Sequence, residues 1–147
     1  MFRAILLAAI VFAINIGLLS FGMAWFASLM RRHADTGADG SPSFAYFVGV
    51  LYAVMLALLA ASLLQAGVWA VVFWLYEDFA TFESAFYYSV VNFATLGYGD
   101  MVLKGELRLL GPLEAINGSL MLGLFASILF AVFSRMTMIK PQQDQQL

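Results

Sequence analysis

Cysteine is absent from the 147 residues, and histidine occurs once, at His33. Disulfides, thiolate metal sites, a cysteine nucleophile and a multi-histidine metal centre are therefore excluded. Charge is nearly as scarce. Asp, Glu, Lys and Arg make up 11% of the chain, and the net charge of -2 includes no clustered basic face, which sets nucleic acid aside as a partner. No apolar segment carries arginines at every third position, so a voltage sensor of the usual kind is missing. Nor do the apolar segments hold paired carboxylates for acid-base chemistry, and the sequence reads as no enzyme and as needing no cofactor.

What remains is apolar. Hydrophobic residues make up 63% and the mean hydropathy is +0.91, far above a soluble domain. Three runs, from about Ala4 to Met30, Phe44 to Tyr76 and Leu113 to Met136, each exceed the roughly 20 residues that a spanning helix requires. The first is too long for a signal-peptide core and ends in Arg31-Arg32 rather than a cleavage site, so it is expected to be a retained helix. A polar connection from Arg31 to Ser43, with Gly37, Gly40 and Pro42, separates the first two runs, and the polar tail "KPQQDQQL" comes after the third.

Arg31 and Arg32 after the first run, and Arg135 and Lys140 at the end of the third, mark one face of the membrane. The positive-inside rule makes it cytoplasmic, placing a multi-pass protein in the cell (inner or plasma) membrane with its N-terminus outside and its C-terminus inside. Membrane lipids are then partners. Outside lie Glu77, Asp78, Glu83, Asp100 and Glu106 against only Lys104 and Arg108, an acidic mouth that attracts cations.

Within this outer segment "TFESAFYYSVVNFA" is aromatic, apolar and free of Gly and Pro. The pattern predicts a helix over Phe82 to Phe93, capped by Thr81 with Glu83 in its first turn, and about 18 Å long, half a bilayer. A re-entrant helix must lead into backbone that is buried in protein or lines a water-filled cavity. Here it leads into Thr95-Leu96-Gly97-Tyr98-Gly99. Gly97 and Gly99 allow successive carbonyls to turn toward one axis, where they and the Thr95 hydroxyl can replace an ion's hydration shell. The helix aims its negative end at the same point. One strand does not encircle an ion, so rotational symmetry must supply the rest.

"TLGYGD" resembles the selectivity-filter signature of potassium channels, and the order helix, short helix, filter, helix over about residues 47–136 resembles the pore module of bacterial and two-pore-domain potassium channels. The resemblance implies an all-α integral membrane protein of three transmembrane helices plus a re-entrant pore helix and filter loop, assembling as a homotetramer. It divides the chain into an extra N-terminal helix and cytoplasmic loop (1–43), a pore module (44–136) and a cytoplasmic tail (137–147). It implies potassium sites at Thr95, Leu96, Gly97 and Tyr98, closed by Gly99, with Asp100 guarding the outer mouth and Tyr87 and Tyr88 cuffing the filter. Leu96 replaces the commoner valine or isoleucine, Ala94 a second threonine, and Val91 a buried glutamate that in some relatives pairs with the aspartate after the filter.

The third run is expected to line the inner pore, with a gating hinge at Gly118 or Gly123. Glu114 is expected to snorkel into the outer vestibule. Asn117, Gln65 and Asn15 are expected to bond within the bundle. The first helix should pack outside the second through Ala8, Ala9, Gly17, Ser20 and Gly22. The function so read is a potassium-selective channel; the alternatives are a non-selective monovalent cation channel and a non-conducting accessory subunit.

Overall fold

The computed structural model describes residues 1–34, 44–76, 79–105 and 107–137; for 26, 27, 29–34, 44 and 135–137 only the backbone is described. Most of the connection after the first helix, the tail with Lys140, and Glu77, Asp78 and Glu106 lie outside the described residues, as do the side chains of Arg31, Arg32, His33 and Arg135.

The elements are α1 (Phe2–Ala34), α2 (Phe44–Tyr76), α3 (Phe82–Phe93) and α4 (Leu110–Thr137), with no strand among the described residues. Phe2–Trp25, Ala45–Tyr76 and Leu110–Ser134 are long and apolar enough to cross a membrane, which makes this an all-helical, multi-pass membrane protein. α4 starts at Leu110, about a turn before the expected Leu113, and so includes Pro112. Proline in a first helical turn removes an N–H that has no intrahelical acceptor anyway, so the helix runs through it.

α3 has the predicted bounds and cap. Thr81 is extended (φ -139, ψ 152) and its hydroxyl accepts from the Ser84 N–H at 3.2 Å, while Glu83 meets the positive end of the helix. The helix packs between α2 and α4. Against α2 the contact is aromatic: Tyr88 meets Phe73 edge-on at 5.0 Å, and Phe73 stacks on Trp69 of its own helix at 5.9 Å; Tyr88 also meets Phe79, which precedes α3, at 5.4 Å. Such pairs contribute about 0.5–1.5 kcal/mol each beyond their buried area.

Against α4 the contact depends on missing side chains. Leu110, Glu114, Asn117, Gly118, Met121 and Phe125 are buried at helical spacing on one face. A Cβ on Gly118 would overlap the Phe93 carbonyl oxygen and stand 2.7 Å from its carbon and 2.9 Å from its Cα. Glycine at 118 is therefore what lets α4 lie on the C-terminal end of α3.

α1 packs on α2 and α4 through Ala4, Ala8, Val11 and Asn15, a stripe in its first half. Of the small residues expected to make this contact, only Ala8 does. Ala9, Gly17, Ser20 and Gly22 are exposed, and a Cβ on Gly17 or Gly22 would meet nothing within 4 Å. The run is apolar on every side, so its composition does not mark the packing face.

Candidate functional site

The backbone after α3 is determined by how that helix ends. The Ala94 N–H donates to the Val90 carbonyl at 3.0 Å, that of Thr95 to Asn92 at 2.9 Å and that of Leu96 to Val91 at 2.9 Å. The last two bonds form a Schellman closure, whose residue just past the cap adopts a left-handed conformation and is usually glycine. Here it is Thr95, at φ 58, the one non-glycine with positive φ among the described residues. A left-handed conformation costs such a residue about 1–2 kcal/mol, and strain of this kind collects at functional sites.

Gly97 (φ 56) and Gly99 (φ 75) repeat the left-handed turn at alternate positions, while Leu96 and Tyr98 keep negative φ. In a strand, successive residues share one handedness and their carbonyls alternate in direction; the alternation of handedness here breaks that pattern. The described residues leave this loop uncovered. Every residue from Ala94 to Val102 is exposed, Tyr98 to 65%. Behind it lies a cavity of about 640 Å³ whose lining includes Val91, Gly97, Gly99, Leu103 and Arg108.

Asp100 is tied back to α3. The Tyr87 hydroxyl donates to its Oδ2 at 2.8 Å, bracing the outer end of the run across 13 residues of sequence. That bond, then lost hydration and the charge of Asp100, raise the phenol above its ordinary 10.0. A raised phenol contributes fully below 10.0 and loses its contribution as pH climbs through the higher folded value. Tyr88 turns the other way, its ring against Phe73 and Phe79 and its hydroxyl beside Gly111, so the aromatic pair divides between filter brace and core. Val91 is buried and brings no carboxylate to Asp100, and Ala94 is the exposed cap of α3. Tyr87→Phe is expected to leave the helices intact and to release the Asp100 end of the loop, read as faster backbone amide exchange from Gly97 to Asp100.

The two candidate hinge glycines differ. Gly118 is closed against Phe93, whereas a Cβ on Gly123 would meet nothing within 4 Å. Glu114 does not reach a vestibule. It has no exposure, and one carboxyl oxygen bonds the hydroxyl of Ser89 on α3. Asn15, Gln65 and Asn117 are buried as expected, but their amide atoms meet no partner among the described residues. Ser89 escaped the sequence reading; its signal was a small polar residue four positions after Ala85 on the buried face of α3.

A half-membrane helix that ends in an alternately left-handed loop, set between two spanning helices, defines the pore module of an ion channel. The sequence agrees: residues 62–135, half of the chain, match the family described as "Ion channel", and the chain belongs to that family. It is similar to the inward rectifier potassium channel Kirbac3.1 of Paramagnetospirillum magnetotacticum, at 43% identity over 58 residues. The match spans 39% of this chain and 20% of that protein. No solved structure matches the chain.

Proposed function

We propose that four copies of this chain surround one axis and conduct potassium passively and selectively. The observation that supports this reading is the left-handed backbone at Thr95, Gly97 and Gly99 in a loop whose residues, Ala94 to Val102, are all exposed; on this reading its carbonyls turn to the shared axis. Four such rows supply rings of oxygen that substitute for water around a dehydrated cation. The carbonyls of Thr95, Leu96, Gly97 and Tyr98, with the Thr95 hydroxyl, hold the ions. The C-terminal end of α3 adds negative potential beneath them. Asp100, braced by Tyr87, concentrates cations at the entrance. The similarity to an inward rectifier potassium channel favours potassium as the ion.

Symmetry also accounts for the exposed Tyr98 and the cavity behind the filter, both of which a neighbouring copy would cover. α4 lines the inner pore and bends at Gly123, since Gly118 is committed to Phe93. The basic residues Arg31 and Arg32 at the end of α1, and Arg135 and Lys140 at and beyond the end of α4, favour a C-terminus on the cytoplasmic side of a cell membrane. The protein performs no chemistry on its cargo and is not an enzyme.

Native mass spectrometry in lipid nanodiscs, paired with rubidium tracer uptake into potassium-loaded liposomes, tests this reading. A four-chain particle with uptake above protein-free liposomes is expected. A four-chain particle that takes up nothing would make the chain an accessory subunit.

A further inference from the structure

Ser89 lies at the meeting point of three helices. Its hydroxyl, on α3, is 2.6 Å from the Ala66 carbonyl of α2 and also bonds the Glu114 carboxyl of α4. All three residues are buried: Ser89 and Glu114 have no exposure, Ala66 has 2%. A serine hydroxyl has a single proton to donate, and a backbone carbonyl only accepts. An ionised Glu114 would also only accept, leaving two acceptors to share one proton. Both contacts are hydrogen bonds together only if the carboxyl supplies the second proton.

The surroundings agree with an uncharged acid. α2 contains no Asp, Glu, Lys, Arg or His; around Ala66 it brings Gln65 and Trp69, both uncharged. The ionisable groups of α3 are Glu83 in the first turn, Tyr87 on Asp100 and Tyr88 beside Gly111. On α4 the other charged residue is Arg135, more than five turns away, and Asn117 shares the face of Glu114. α1 packs on α4 and buries the uncharged Asn15; its N-terminal residue and Arg3 are exposed, and its other basic residues, Arg31, Arg32 and His33, lie at its opposite end. Lys104 and Arg108 precede α4 and are exposed. Among the described residues, no cation offsets an ionised carboxylate at this place.

We propose that Glu114 is a proton-binding positioning residue: as a carboxylic acid it donates to Ser89, which donates to Ala66, and this relay fastens the inner helix and the outer helix to the pore helix. Loss of the proton breaks one of the two bonds and frees α3, the helix on which the filter is built. Conduction therefore declines as the proton leaves. The proposal rests on the channel reading for its effect on flux, but not for the protonation itself.

The test uses the purified full-length protein in liposomes, wild type and Glu114→Gln, with two readouts. The first is the infrared C=O band of a protonated carboxylic acid, expected in wild type at neutral pH and lost in E114Q. The second is rubidium uptake against pH. Wild-type uptake is expected to fall about tenfold from neutral to alkaline pH, the population change that accompanies loss of one buried hydrogen bond. E114Q, whose amide donates to Ser89 at every pH, is expected to conduct and to lack that decline. Absence of the band in wild type, an assembled E114Q that does not conduct, or an E114Q that retains the alkaline decline would each overturn the proposal. A wild type that shows the band but conducts at no pH would refute the channel reading and leave the protonated acid established.

Discussion

Gly118→Ala is expected to abolish the assembly and conduction proposed above. The added methyl group must occupy space held by the backbone carbonyl of Phe93, the last residue of α3. Overpacking costs about 1–3 kcal/mol where side chains can yield, and here the obstacle is main chain, so the cost lies at or above the upper end. Alanine regains about 1 kcal/mol of helix propensity over glycine, which is too little to compensate. The strain falls where α3 turns into the filter, so separating α4 from Phe93 also disturbs Ala94 and Thr95. Gly123→Ala is the control. Its Cβ meets open space, so the protein assembles, and the variant alters opening rather than folding. Size-exclusion profiles in detergent and tracer flux measure both; an assembled, conducting G118A would show that α4 does not rest on α3 as described.

Thr95→Gly separates backbone from chemistry. The left-handed conformation at 95 costs threonine about 1–2 kcal/mol, which glycine does not pay. Glycine's greater freedom in the unfolded chain returns about 0.5–1 kcal/mol of that gain. The variant is therefore as stable as wild type or slightly more so by thermal denaturation. On the proposed reading its selectivity is expected to fall nonetheless, since four hydroxyls would leave the innermost ion site. The potassium-to-sodium permeability ratio is expected to drop at least about tenfold, roughly the effect of one lost hydrogen-bonding ligand. Thr95→Ser keeps the hydroxyl and the ratio. A T95G channel as selective as wild type would remove the hydroxyl from the ion site and leave the strain at Thr95 without a function.

The sequence carried the local elements well, and for physical reasons. α3 was legible to its ends because Thr81 caps one and Thr95 to Gly99 cannot continue the other. α2 was legible because nothing between Phe44 and Tyr76 interrupts it. Packing faces were harder. In α1, where every side is apolar, the stripe of Ala4, Ala8, Val11 and Asn15 carries no distinguishing pattern. In α4 a pattern existed: Leu110, Glu114, Gly118, Met121 and Phe125 recur at helical spacing, which places Glu114 inward despite its charge. Its position near the outer end suggested water instead. What decides the matter is Ser89, 25 residues away, and no local rule brings the two together. The split of Tyr87 from Tyr88 has a similar origin: neighbours on a helix diverge by about 100°, so one faces Asp100 and the other Phe73.

The central claim is that this filter selects potassium, and the reversal potential tests it most directly. Purified protein is placed in a planar bilayer with potassium on one side and sodium on the other, alongside Gly97→Ala, in which alanine must adopt φ 56. The account predicts a wild-type reversal near the potassium equilibrium value and loss of the selective current in the variant. A robust wild-type current reversing near zero would contradict it.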